Sequence, residues 1–134
     1  MPARIRFAAE GKEWVGVLND SETALALERR LPLVLRMSRW GDEYYGDIGE
    51  KLKVRPARDA RDDMEVGELA YWAPGNALCV FFGPTPASRG DEPRAASPVH
   101  PVGRLEGDLA GLKELGPSIK VRVEAAGAEG SKGR

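Results

Sequence analysis

Strict alternation of apolar and polar residues opens the chain. In Arg4-Ile5-Arg6-Phe7, Ile5 and Phe7 fall on one face and two arginines on the other, the signature of a half-buried strand. Trp14-Val15-Gly16-Val17-Leu18 follows the turn signal Gly11-Lys12, and the two runs are expected to pair as a hairpin. The pattern then changes period. Asn19-Asp20-Ser21-Glu22 carries capping side chains and an acidic first turn; Ala24, Leu27 and Leu31 share one helical stripe, and Pro32 stops it. Alternation returns in Leu33, Leu35 and Met37, against Val34, Arg36 and Ser38.

Trp40 to Gly46 reads as an aromatic, acidic loop bounded by glycines. Lys51 to Val54 is expected to form a short strand, and Arg55 to Met64 a charged loop. Gly67 to Trp72 and Ala77 to Phe82 flank Ala73-Pro74-Gly75-Asn76, where proline followed by glycine predicts a type II turn and a β-hairpin. The second strand is apolar on both faces, so both faces should be covered. A Pro/Gly-rich segment runs from Gly83 to Pro98. Val99 to Leu105 returns as a strand in which Pro101 demands a bulge or an edge. Asp108 caps a short helix with Leu109, Leu112 and Leu115, ended by Gly116-Pro117. Ile119, Val121 and Val123 alternate with Lys120, Arg122 and Glu124 in a last strand. Two short helices cannot cover both faces of a parallel sheet. The expectation is therefore a mainly β fold: a closed, mostly antiparallel barrel with the two helices capping its ends.

Composition narrows the function classes. With 134 residues, 42% hydrophobic and 31% charged, the chain suits one globular domain, expected over 1–124, with a small-residue tail at 125–134 expected to be disordered. A net charge of −1 with interleaved signs gives no basic stripe for nucleic acid. No apolar run approaches a membrane span and the N-terminus lacks a signal peptide's apolar segment, so the cytoplasm is the expected location. Cys79 is the single cysteine and His100 the single histidine, which disfavours a zinc site. No cofactor motif is present: there is no glycine-rich phosphate loop and no spaced histidine pair.

Val66 to Pro86, with Gly90-Asp91-Glu92-Pro93-Arg94 and Ser97-Pro98-Val99, resembles the small prokaryotic cyclophilin-like proteins, a family named for its fold and without an established activity. Trp40-Gly41-Asp42-Glu43 and Val102-Gly103-Arg104 fit the same pattern, and the resemblance spans most of Ala3 to Glu124. It implies an eight-stranded closed cyclophilin-like barrel with two helices. It does not imply prolyl isomerisation, because Phe81-Phe82 runs into Gly83-Pro84-Thr85 and not into the Phe-Met-x-Gln-Gly segment of the isomerases.

A catalytic triad would have to use His100, whose place between Val99 and Pro101 points to a structural or surface role. Cys79, inside an apolar run, reads as an inert core thiol. Asp42 and Glu43 beside Tyr44 and Tyr45 form a group that binds polar ligands or serves as acid and base, or else is a solvated loop whose aromatic residues fold back onto the core. The 85–94 loop is the best candidate site. Arg94 offers a planar fork to an anionic ligand, or else pairs with Asp91 or Glu43 to hold the loop. Candidate ligand contacts are Glu43, Tyr71, Asn76, Phe81, Thr85, Asp91, Glu92 and Arg94, with Asn76 also read as a turn residue. The preferred function is binding of a small molecule or peptide on the barrel face beside the 83–98 loop. The alternatives are a prolyl isomerase-like peptide binder and a non-catalytic subunit of a larger enzyme. Three tryptophans and an apolar hairpin also leave room for a homodimer interface.

Overall fold

The structure is a computed structural model that describes residues 3–56 and 58–126; most of the tail expected at 125–134 lies outside the described residues. Strands β1 (Ala3–Ala9) and β2 (Lys12–Leu18) form the first hairpin. Its two-residue turn puts Glu10 and Gly11 at φ 53° and 80°, the positive dihedrals that suit the right-handed twist of the flanking strands. Helix α1 (Glu22–Glu28) starts where Ser21 Oγ accepts from the Ala24 amide. Strands β3 (Leu33–Arg39) and β4 (Glu43–Asp47) follow, then the three-residue β5 (Arg61–Asp63). The central hairpin pairs β6 (Glu68–Trp72) with β7 (Ala77–Phe81). The long β8 (Arg94–Leu105), the short helix α2 (Ala110–Lys113) and β9 (Ser118–Ala125) complete the chain.

Eight strands close into a ring in the order β2-β1-β9-β3-β4-β7-β6-β8, and β8 pairs back to β2; every pairing is antiparallel. β5 adds to β8 beside the ring. The closing seam is short, with three residue pairs: Gly16↔Leu105, Val17↔Arg104 and Leu18↔Gly103. Both glycines there are required by close approach. A Cβ on Gly16 would lie 2.5 Å from the Arg104 carbonyl oxygen, and one on Gly103 would lie 2.2 Å from that of Val17.

The ring encloses the main core, which includes Ile5, Phe7, Met37, Tyr44, Leu69, Val80, Val102 and Val121. Ala24 and Leu27 of α1 and Leu112 of α2 join it, so the helices pack onto the core as expected. A second cluster lies on the outer face, where Ala70, Ala77, Cys79 and Phe81 meet Met64, Ala95 and Val99. All five residues of β7 are buried because both faces of that strand are covered. No described helix is long and apolar enough to cross a membrane.

Four local expectations are corrected. Lys51–Val54 joins no ladder, although Leu52 is buried. Arg61–Asp63, read as loop because it lacks any apolar alternation, pairs with β8 instead. The central hairpin turns through a 3₁₀ segment, Ala73–Gly75, and Asn76, not Gly75, takes the positive φ of 51°. β8 begins at Arg94 and runs through Pro98; the bulge expected near Pro101 is present, since Leu69 faces Gly103 while Ala70 faces Pro101.

Candidate functional site

Strand alternation places Glu43, Tyr45, Cys79, Phe81, Ala70 and Trp72 together on the outer face of β4, β7 and β6. The registers Glu43↔Phe81, Tyr45↔Cys79, Ala70↔Cys79 and Trp72↔Ala77 bring them side by side. The first half of β8 rises over this face and leaves a pocket of about 280 Å³. Its aromatic walls are Trp40, Tyr45 and Trp72; Ala95, Ala96 and Val99 of β8 complete the rim, and Glu43 and Cys79 reach it from the strands below. A larger hollow of about 780 Å³ is lined by the exposed charged residues Arg104, Glu106, Asp108 and Lys113 together with apolar residues such as Phe82 and Leu109, and holds no buried unpartnered polar side-chain atom among the described residues.

Glu43 is 5% exposed, and among the described residues its Oε1 is the buried side-chain oxygen or nitrogen atom that has no hydrogen-bond partner. Loss of hydration raises its pKa from 4.5 to about 7, and the neighbouring Cys79 thiol opposes the rise only in part. Burial likewise pushes the Cys79 thiol well up, and the Glu43 charge adds to that, so the cysteine is the inert core thiol expected. Asp42, the residue next in sequence, points the other way. Arg39 donates to it at 2.7 Å while lying over the rings of Tyr44 and Phe82, at 5.8 and 5.2 Å from their centroids. The acidic pair is thus split by the strand. Asp42 anchors a corner, and Glu43 faces the pocket.

Trp72 is held from two sides. Its Nε1 donates to Ser97 Oγ at 2.7 Å, and its ring lies against Gly75, where a Cβ would come within 2.5 Å of two ring carbons. Gly75→Ala is expected to displace this ring. The Trp72 indole should move in a crystal structure or in nuclear Overhauser contacts to Ser97, with a stability loss of about 1–2 kcal/mol. An unmoved indole would show that the turn yields in its place.

The other sequence candidates fall elsewhere. Tyr71 is wholly buried inside the ring, donates to Asn76 Oδ1 at 2.7 Å and meets His100 edge-on. Asn76 caps the 3₁₀ turn and donates to the Gly49 carbonyl at 2.7 Å, a turn role. Phe81 is packed in the outer cluster and does not line the pocket. The Thr85 hydroxyl donates to the Arg94 carbonyl, and the Ser88 hydroxyl to that of Glu92. Glu92 accepts from the amides of Arg89 and Gly90 and from Arg94 Nε; the Arg89 amide, then Arg94, do most to lower its pKa to about 2. Arg94 also pairs with Asp62 at 2.9 Å, so neither Asp91 nor Glu43 is its partner. Asp91 lies exposed at the tip of this loop. His100 shares a hydrogen bond with Thr23 Oγ1 inside the fold, a structural position.

Of the eight candidates, the pocket brings in Glu43 alone. Trp40, Trp72 and the two alanines of β8 are not among the candidates, and Tyr45 enters the sequence reading only as a neighbour of the Asp42–Glu43 pair. The signal that would have found them is the period-2 spacing of Glu43 with Tyr45 and of Ala70 with Trp72, which becomes informative only once the strand partners are known.

A family model described as "Cyclophilin-like" matches residues 3–124. The solution structure of a hypothetical protein from Archaeoglobus fulgidus is similar to this one: 36% identity, a TM-score of 0.75, and coverage of 92% of this chain and 94% of that chain. No curated protein matches.

Proposed function

The chain belongs to the Cyclophilin-like family, an architecture that fixes no reaction, and on that premise we propose that the domain is a binding module whose outer-face pocket takes a small, largely apolar ligand or a single peptide side chain. The observation that carries this reading is Glu43: a buried carboxyl with an unpartnered oxygen, set in apolar surroundings. A buried polar group without a partner costs on the order of 1–3 kcal/mol, more when charged, and a fold keeps such a group where a ligand completes it. The volume of about 280 Å³ lies at the small end of ligand pockets, which run roughly 300–1,000 Å³, so it suits a side-chain-sized group better than a nucleotide. The position beside the 83–98 segment supports the same reading, since Ala95 and Ala96 lie in its C-terminal part, the start of β8.

A fragment screen followed by amide chemical shifts tests this. Binders are expected to perturb Glu43, Cys79 and Trp72 together. Ala96→Trp, which adds an indole at an exposed rim position, is expected to abolish those shifts while leaving the far-ultraviolet spectrum and melting temperature unchanged. A screen in which no fragment moves these amides, or in which Ala96→Trp leaves binding intact, sinks the proposal.

A further inference from the structure

We infer that the ligand group completing this pocket is an alkylated ammonium, held between the rings of Trp40, Tyr45 and Trp72 with its charge facing Glu43. The inference rests on the pocket reading above and deepens it. Three aromatic side chains converge on one small cavity, and a carboxyl is the acidic group in its lining. Aromatic rings present negative faces, and quaternary or methylated ammonium groups are recognised by such cages, with gains of about 0.5–2 kcal/mol per contact when desolvated. Alkylation also removes N–H donors from the cation, which fits a mostly apolar lining whose side-chain oxygens are those of Glu43 and Tyr45. A bare ammonium would carry three N–H donors into a pocket with few acceptors to answer them.

Charge complementarity decides between a cation and a neutral ligand. Glu43 Oε1 has no hydrogen-bond partner and the described residues place no arginine or lysine in the pocket lining. Arg39, Arg61 and Arg94 are engaged elsewhere: Arg39 on Asp42, Arg61 on Glu68, and Arg94 on Glu92 and Asp62. An ionised carboxylate with no internal counter-charge is the complement of a cation that arrives from outside. An anionic ligand would meet repulsion. The pocket is also preorganised, because Ser97 and Gly75 fix the Trp72 ring before any ligand enters.

The experiment compares choline with its neutral carbon isostere, 3,3-dimethylbutan-1-ol, on the full chain at pH 8, by tryptophan fluorescence and by amide shifts of Glu43, Cys79 and Trp72. Trp14, the third tryptophan, packs against Phe7 and Asp108 away from the pocket and should not respond. Choline is expected to bind about 10-fold more tightly than the isostere, and Glu43→Gln to remove that preference. A short peptide with one trimethyllysine distinguishes a side-chain source from a free small molecule: tighter binding than choline assigns a peptide, weaker binding a metabolite, and both support the ammonium assignment. Equal or tighter binding of the neutral isostere overturns that assignment and leaves the pocket reading standing. If neither compound moves the pocket amides although other fragments do, the ammonium assignment falls alone; if nothing binds, both fall.

Discussion

Replacing Gly103 by alanine is expected to destabilise the fold by about 3 kcal/mol, at the upper end of overpacking costs, because the new methyl would sit on backbone. Its Cβ would lie 2.2 Å from the Val17 carbonyl oxygen and 2.9 Å from the Leu18 Cα. A flexible side chain could swing aside, but these atoms belong to the partner strand at the point where the ring closes. The seam has three residue pairs, so displacing one weakens a third of it. Hydrogen bonds just beyond the seam, from Asn19 N to the Val102 carbonyl and from Glu106 N to the Val15 carbonyl, both at 2.8 Å, would be strained with it. Urea unfolding followed by tryptophan fluorescence measures the loss. Gly116→Ala is the control: nothing lies within 4 Å of its added Cβ, and the change should stay within about 0.5 kcal/mol. Equal stabilities for the two variants would mean that the seam is looser than described.

Glu43→Gln is expected to stabilise the protein at pH 8 by about 2–3 kcal/mol and to leave it nearly unchanged at pH 4. The sign follows from the direction of the shift. The folded-state pKa is raised from 4.5 to about 7, so the folded protein holds the proton more tightly than the unfolded chain. The stabilisation linked to that proton is complete below pH 4.5 and is lost as pH rises to about 7. A shift of that size corresponds to about 3 kcal/mol, from which the buried amide of glutamine subtracts part. Glu92 acts in the opposite direction and in a separate window. Its pKa is lowered to about 2, so its stabilisation is present above pH 4.5 and lost on acidification towards 2. Melting temperatures between pH 4 and 8 should fall with rising pH in the parent and run flatter in the variant. Parallel profiles would show that Glu43 does not ionise with a raised pKa.

The fold was legible wherever the chain alternates cleanly. β1 and β9 follow from period-2 patterns whose faces agree with burial in the structure, and the central hairpin from its Pro-Gly turn signal and a second strand apolar on both faces, which is buried throughout. The short edge strand β5 was not legible, since Arg61-Asp62-Asp63 has no apolar residue and its pairing is decided by β8. The site was legible in one residue. Glu43 stood out as an acid among aromatics, but glycines on either side and an adjacent aspartate read as a loop, and the ladder to β7 overrides that local preference. The 85–94 loop drew attention for its charges. Those charges turn out to satisfy one another and the loop backbone, as Glu92 and Arg94 show. Local sequence records which groups are polar; it does not record which polar groups find partners, and that distinction separates Arg94 from Glu43.

The position of β9 has a consequence for synthesis. It pairs with β1 through Ile5↔Ala125 and with β3 through Leu33↔Val123, so two segments made early share a neighbour made more than 75 residues after β3 ends. At ~5–20 residues per second, a translating ribosome leaves the edges of β1 and β3 without that neighbour for several seconds. During that interval the nascent chain carries two unpaired β edges, a template for pairing with other chains. Closure of the ring therefore waits until β9 has been made. Truncation before Ser118 should yield an aggregating product, and a slower translation rate should lengthen dependence on chaperones.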